Sequence, residues 1–300
     1  MGKMIEETKD RIRGALYGVA IGDSLGAPVE RMSADEIKEK YGKVTDMIGG
    51  GWLDVWPGET TDDTALTIAV ARGIVENPED PVPAVGRHFI EYYKNCHGII
   101  GNVTKRAIEN AMLVGKHRAP KTKEQWMLSS QKTDSEVDGN TGSNGALMRT
   151  IYPALFYMPG AKMTRVAKDI ARMTHWDEQS TEACVLYVRD IFLLIHGFTG
   201  RCGLVGLRDT EPTGYVVDSY IVASEAYNRA GSFEEVLVTA VNRGGDADTI
   251  GAIAGGMAGA RYGYSSIPER WLEALDPVIK EQLDELADAA IKYQEEYEWK

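Results

Sequence analysis

The segment from position 249 to 263 restricts the fold of this chain more than any other. It reads Thr-Ile-Gly-Ala-Ile-Ala-Gly-Gly-Met-Ala-Gly-Ala-Arg-Tyr-Gly. Each glycine inside a helix costs about 1 kcal/mol relative to alanine. A helix with so many is viable only where neighbours pack close to its backbone, which places it at the centre of a helical bundle. Helical periodicity dominates elsewhere too. Ile12, Ala15, Leu16, Val19 and Ala20 share one face, and Cys184, Val188, Ile191 and Ile195 repeat the pattern after Asp177. Residues 64–76 and 164–173 read the same way, and the tail from Pro268 to Lys300 carries Leu272, Leu275, Ile279, Leu283 and Leu286. Strand-like alternation is scarce: Tyr215-Val216-Val217 is the best short stretch, and it runs straight into a helical pattern. The chain reads as all-α with one core, which its 43% of hydrophobic residues can supply.

Two loops stand out. Residues 46–60 hold Gly49-Gly50-Gly51-Trp52 and Pro57-Gly58. Residues 115–145 are polar, with Pro120 and Asp138-Gly139-Asn140-Thr141-Gly142, and read as a long loop of the kind that serves as a lid or stays disordered. The formal charge of −12 repels phosphates and anionic lipid, so neither general nucleic-acid binding nor membrane binding is expected. An anionic substrate would need local relief from metal ions or backbone N–H groups. Cys96, Cys184 and Cys202 are too few and too scattered for a disulfide framework or a zinc site. Met1 to Arg13 lacks an apolar signal core, and no stretch reaches the roughly 18 apolar residues of a membrane span. A cytoplasmic location follows.

Clusters of polar residues carry the chemistry. Thr60-Thr61-Asp62-Asp63-Thr64 precedes an apolar helix. One such residue caps a helix; a run of them either leaves spare carboxylates in water or gathers a cation. Gly244-Gly245-Asp246-Ala247-Asp248-Thr249 opens the glycine-rich helix. Asp246 and Asp248 are two apart with a hydroxyl next, a spacing that lets oxygens converge on one hard cation such as Mg²⁺; the alternative is a simple cap. Glu30, just past the tight segment 22–29, is either aimed at a cleft or a surface charge. Asn144-Gly145 opens a small turn that suits a phosphate. Thr174-His175 ends a helix, where a histidine complements the C-terminus. His97, beside Cys96, reads as a polar loop residue.

Taken in order, these segments resemble the ADP-ribosylglycohydrolase family, whose bacterial type is the dinitrogenase-reductase-activating glycohydrolase. The matching stretches are Gly22-Asp23-Ser24-Leu25-Gly26-Ala27-Pro28-Val29-Glu30, Thr61-Asp62-Asp63-Thr64, Asn144-Gly145-Ala146-Leu147-Met148-Arg149, Thr174-His175 and Gly244-Gly245-Asp246-Ala247-Asp248-Thr249-Ile250-Gly251. Each is weak alone; their order and spacing, from about residue 11 to 264, are specific. The resemblance implies a single all-α domain over 1–300, an orthogonal helical bundle with the 268–300 tail attached, and two divalent cations, Mg²⁺ or Mn²⁺, at the bottom of a cleft. Carried over by motif, Thr61, Asp62, Asp63, Asp246, Asp248 and Thr249 would hold the ions. Glu30 matches a catalytic or gating glutamate, and Asp62 or Asp63 would assist by polarising a water. Asn144 and Gly145 match a loop near the phosphates, His175 a ligand-side histidine, and Tyr215 a tyrosine lying against adenine. The family's Gly-Gly-Gly-Trp loop is also present, at 49–52.

Arginine-directed members carry an aspartate in a segment of the form Asp-Ile-Gly-Asn. Here it reads Ile99-Ile100-Gly101-Asn102, so Ile99 stands in place of the carboxylate while Asn102 is retained on the substrate side. The implied activity is hydrolysis of the bond between ADP-ribose and an acceptor, first of all arginine on a modified protein. Other linkages (serine, a nucleic-acid base, a small ADP-ribosylated molecule) stand beside it. So does a catalytically quiet ADP-ribose-binding relative, or a two-metal phosphohydrolase on an unrelated helical fold, although the histidine-rich ligand set of the last is missing.

Overall fold

The computed structural model describes residues 2–96, 98–204 and 209–298. In chain order the helices are α1 (Gly2–Gly26), α2 (Ala34–Tyr41), α3 (Asp62–Glu76), α4 (Val82–Asn95), α5 (Asn102–Val114), α6 (Lys123–Glu136) and α7 (Tyr152–Phe156). They continue as α8 (Ala161–Arg172), α9 (Glu178–Ile195), α10 (Val216–Arg229), α11 (Phe233–Val241), α12 (Ala247–Tyr262), α13 (Glu269–Ala274) and α14 (Pro277–Glu298). The described residues form an all-α bundle, with β structure limited to isolated bridges such as Ser143 to Tyr215.

The glycine-rich segment is α12, buried from Ala247 to Ala260. Its close neighbour is α1, which runs antiparallel to it and carries its own glycines every fourth residue. A Cβ on Gly18 would lie 2.0 Å from the Gly255 carbonyl oxygen, one on Gly22 2.0 Å from that of Gly251, and one on Gly259 1.9 Å from that of Gly14. Only hydrogen fits at this contact, so the two backbones touch directly. The zipper runs to the last turn of α1, where Gly26 meets Ala247, and so brings the C-terminal end of α1 against the first turn of α12. Helices α9, α10 and α11 pack on the other flanks of α12.

Three expectations are revised. The stretch 115–145 is not one long loop, because α6 occupies its middle. Its buried face is Trp126, Ser129, Ser130 and Thr133, polar apart from the tryptophan, so no apolar period betrays it. Thr122 caps it by accepting from Gln125 N at 3.3 Å, and Trp126 covers Gly86, where a Cβ would come within 2.2 Å of the indole. Tyr215 starts no strand; it sits at the N-cap of α10. The C-terminal stretch is two helices, broken before Pro277, with Asp276 N donating to Gly58 O at 3.1 Å. The second of these, α14, lies along α1, α3 and α7 and buries Leu283, Leu286, Ala287 and Ala290.

No described helix is long and apolar enough to cross a membrane.

Candidate active site

Two helix N-termini and the end of α1 converge on one cleft of about 1110 Å³, open to solvent. At the start of α3, Thr61 is the N-cap and accepts from Asp63 N at 3.4 Å, with Asp62 and Asp63 in the first turn. At the start of α12, Asp246 is the N-cap and Asp248 lies in the first turn. Free N–H groups and the helix dipole favour negative charge at both places. Beyond α1, Glu30 follows a short 3₁₀ turn, Ala27–Val29. Its neighbours are stitched to the second cluster: Arg31 N donates to Gly245 O and Gly245 N to Met32 O, each at 2.7 Å. Gly245 needs to be glycine here, because it has φ +65° and its Cβ would lie 2.0 Å from Pro212 O.

The cleft is lined by Glu30, Asp62, Asp63, Asp246, Asp248 and Thr249, so the two acidic clusters meet. Thr61 is buried just behind, 3.3 Å from Asp63 Oδ2 through its hydroxyl; Thr249 Oγ1 donates to the same oxygen at 3.4 Å. Asn102, Asn144 and Gly145 also line the cleft, and Asn144 Nδ2 donates to Asp246 Oδ2 at 2.6 Å. Tyr215 lies outside this lining, half-exposed, one residue beyond the cleft-lining Gly214, with its hydroxyl bonded to Gln179. His175 does not reach the cleft: it is fully buried behind Ser143, whose Oγ is 2.8 Å from His175 Nε2. The Ile99 side chain is among the wall residues, and the segment is tied to the floor by Gly101 N donating to Asp62 Oδ2 at 3.1 Å. His97 lies outside the described residues.

Asp23 is a carboxylate beside the acidic clusters that the sequence pattern concealed. It is completely buried. Thr61 N donates to Oδ1 and Oδ2 at 3.1 and 3.0 Å, and Thr64 donates to Oδ2 through N at 3.1 Å and through Oγ1 at 2.5 Å. The signal was its place on the Ile12, Leu16, Val19 stripe, where a carboxylate faces the core. Ligand atoms of Asp23, Asp63 and Asp248 lie within 4.8 Å of one another, and so do those of Glu30, Asp246 and Asp248.

Burial dominates the electrostatics. It pushes the Asp23 carboxyl up to about 7 despite the bonds from Thr64 and Thr61. Asp63 and Asp248 rise well above the carboxylate range, first through burial and then through the neighbouring carboxylates. Asp62 is raised by burial against the Gly101 N–H, and Glu30 by burial against its bond from the Trp52 indole. Asp63 Oδ1 is buried with no hydrogen-bond partner. So much desolvated, mutually repelling oxygen is costly without a proton or a cation.

Residues 4–299 match the family described as ADP-ribosylglycohydrolase. The chain is 33% identical to the ADP-ribosyl-[dinitrogen reductase] glycohydrolase of Rhodospirillum rubrum, covering 94% of this chain and 96% of that one. It is 28% identical to the ADP-ribosylarginine hydrolase Tri1 of Serratia proteamaculans, covering 94% and 79%. Among solved structures it is similar to one titled ADP-ribosylglycohydrolase-related protein complex, with a TM-score of 0.80, 29% identity, and 96% and 99% of the two chains covered. A helical fold shared nearly end to end, with the acidic clusters meeting in its cleft, goes with that sequence match: the chain belongs to the ADP-ribosylglycohydrolase family.

Proposed function

We propose that the cleft binds an ADP-ribosyl group together with two divalent cations, Mg²⁺ or Mn²⁺, and hydrolyses its glycosidic bond to an acceptor, arginine of a modified protein. The observation that carries this reading is Asp248, whose carboxylate belongs to both acidic groups at once. A carboxylate between two such groups suits a pair of ions. The donors fit hard cations, being oxygens only, and the orphaned Oδ1 of Asp63 supplies a lone pair that no protein group uses. Thr61, Asp62, Asp63, Asp246, Asp248 and Thr249 would hold the ions. Asp23 has a different part, because its oxygens already accept from Thr61 and Thr64 and so fix the α3 turn from behind.

When bound, the cations offset the repulsion between this acidic floor and a diphosphate, orient the ribose hydroxyls and polarise a water. Cleavage at the anomeric carbon passes through an oxocarbenium-like state, which the surrounding carboxylates stabilise. Glu30 transfers a proton or gates the substrate. Its burial keeps it protonated closer to neutrality than a free glutamate, which suits a proton donor. Asp62 or Asp63 accepts a hydrogen bond from the attacking water. Asn102, Asn144 and Gly145 contact the substrate from the wall, Tyr215 meets it at the rim, and His175 acts through Ser143. The work is done by one domain in the reducing cytoplasm, where three free cysteines stay reduced.

One observation favours a second reading of the acceptor. Ile99, Ile100 and Val103 make one wall of the cleft apolar. A guanidinium entering along that wall finds no carboxylate on it, whereas an uncharged acceptor such as serine loses nothing. The assay is direct. The protein is incubated with an arginine-ADP-ribosylated target and Mg²⁺ or Mn²⁺, in parallel with a serine-linked one, and the products are identified. Free ADP-ribose is expected. Release of AMP instead identifies a phosphohydrolase, and tight ADP-ribose binding without any product identifies a quiet binding protein; either result overturns the proposal.

A further inference from the structure

Ser143 lines the cleft, and its Oγ lies 2.8 Å from His175 Nε2. A serine against a histidine is the geometry of an activated nucleophile. What lies behind the histidine decides whether it is one. In a nucleophilic pair, Nδ1–H is held by a carboxylate, which leaves Nε2 free to take the serine proton. Here Nδ1 is 2.8 Å from the Thr174 hydroxyl, and Arg149 NH2 donates to that same hydroxyl oxygen at 2.6 Å. Arginine only donates. With its oxygen engaged by Arg149, the buried Thr174 hydroxyl places its hydrogen on His175 Nδ1; any other arrangement strands that hydrogen in the core. Nδ1 therefore accepts. A neutral ring has one N–H, so Nε2 carries it and donates to Ser143 Oγ. Burial, reinforced by the Arg149 charge, keeps the imidazole neutral by holding its pKa well below the usual histidine value.

We infer that Ser143 is not a nucleophile but a fixed hydrogen-bond donor to an anionic oxygen in the cleft, set in that state from behind by Arg149 through Thr174 and His175. His175 Nε2 donates to one of its two lone pairs and so cannot accept its hydrogen, which is left to point at the ligand, and the bond the hydroxyl receives strengthens the one it gives. Beside the carboxylates of the cleft floor, this gives an anion a neutral donor to bind. The inference rests on reading the cleft as an ADP-ribosyl site, where the anionic oxygen is one of the diphosphate. Arg149 also donates to the Gly145 carbonyl and lies 4.8 Å from the Phe89 ring, so it braces the turn that carries Ser143. Gly145 leaves room for the ring, since a Cβ there would come within 3.2 Å of His175 Cε1. Arg149 and Thr174 are positioning residues: neither lines the cleft.

Nitrogen-15 NMR of the full chain labelled at histidine reads the wiring without any ligand. At neutral pH, His175 is expected as the neutral Nε2–H tautomer, and Thr174→Val, which keeps the shape of the side chain, is expected to populate the other tautomer. A native Nδ1–H tautomer, or an imidazolium, overturns the inference. A serine-directed fluorophosphonate is expected to leave Ser143 unlabelled, and stoichiometric labelling overturns it as well. In calorimetric titrations with ADP-ribose, Ser143→Ala is expected to lose about tenfold in affinity, the size of one hydrogen bond to a charged group, with Mg²⁺ binding unchanged. Unchanged ADP-ribose affinity overturns the donor role. If the native protein binds no ADP-ribose at all, the functional reading fails instead, and the tautomer still judges the wiring.

Discussion

The carboxylates of the cleft floor differ in what their oxygens already do, and that difference sets the effect of replacing each. Asp23 already accepts from Thr61 and Thr64, whereas Asp63 keeps a buried oxygen with no partner. Asp62 and Asp248 both line the cleft. Asp62→Ala and Asp248→Ala are each expected to abolish turnover and to weaken Mg²⁺ binding, read by ADP-ribose release and by titration of the metal; full activity in either variant removes the ligand assignment. Ile99→Asp adds a carboxylate to the apolar wall. Activity on an arginine conjugate should rise relative to a serine conjugate, by about tenfold for one buried charge-assisted bond; an unchanged ratio shows that this wall does not select the acceptor. The runs Thr60–Thr64 and Gly244–Thr249 were legible because a single cap does not need so many oxygens. Asp23 was not, since a lone aspartate near a helix end passes as ordinary polarity until its register with Ile12, Leu16 and Val19 is counted. Ser143 and buried Arg149 gave no sign of their pairing, which depends on a contact with a segment 25 to 32 residues away.

Between elements, the close contact of α1 and α12 does the positioning. The glycines of α12 announced a neighbour but not which one. The partner was written in the same chain as Gly14, Gly18, Gly22 and Gly26, a repeat of four that keeps one face of α1 bare. Their cost in helix propensity is offset by direct backbone packing, and the result sets Asp23, one residue beyond Gly22, against the first turn of α12. Gly255→Ala would put a methyl 1.9 Å from the Gly18 carbonyl oxygen, with no side chain able to move aside. The helices must separate, and a loss of about 3 kcal/mol is expected from such overpacking, together with weaker metal binding because the two acidic clusters move apart. Gly231→Ala, whose new Cβ would meet only Glu235 Oε2 at 3.5 Å, is the control and should change stability by less than about 0.5 kcal/mol. Denaturant unfolding of the two variants decides: equal stabilities show that the zipper is loose. Helix α6 was missed for the converse reason. Two of its buried hydroxyls satisfy themselves on its own backbone, Ser129 Oγ on Gln125 O at 2.8 Å and Thr133 Oγ1 on Ser129 O at 3.0 Å, so a polar sequence packs without an apolar stripe.

Over the whole molecule, the buried acid cluster makes stability depend on pH in a direction opposite to that of the surface carboxylates held by hydrogen bonds. Glu36 and Asp46, bonded to Ser33 and Arg270, have lowered pKa values, so what they contribute is present above the unfolded pKa and fades as pH falls. Asp23, Asp63 and Asp248 have raised ones. Between the unfolded value near 3.8 and the folded value, the native state holds more protons than the unfolded chain, so the metal-free protein loses stability as pH rises through that window, which reaches about 7 for Asp23 and lies well above the usual carboxylate range for Asp63 and Asp248. A cation bound at the proposed site would replace the protons of Asp63 and Asp248. In thermal unfolding with a chelator, the native chain is therefore expected to lose stability from about pH 5 to pH 8, and Asp63→Asn, which removes one such charge, to lose less. With Mg²⁺ the order reverses: the gain in melting temperature should be larger at pH 8 than at pH 5 for the native chain, and small at both for Asp63→Asn, since ligands must be deprotonated to bind. The chain's formal charge of −12 weakens the metal-free state further at high pH through general repulsion, but salt screens that contribution and reaches the buried cluster far less. Repeating the comparison at high ionic strength thus separates the two. If the difference between the native chain and Asp63→Asn vanishes in salt, the cluster is not the source and the carboxylates do not share a cation site; if it persists, the floor of the cleft is where this acidic molecule accommodates its charge.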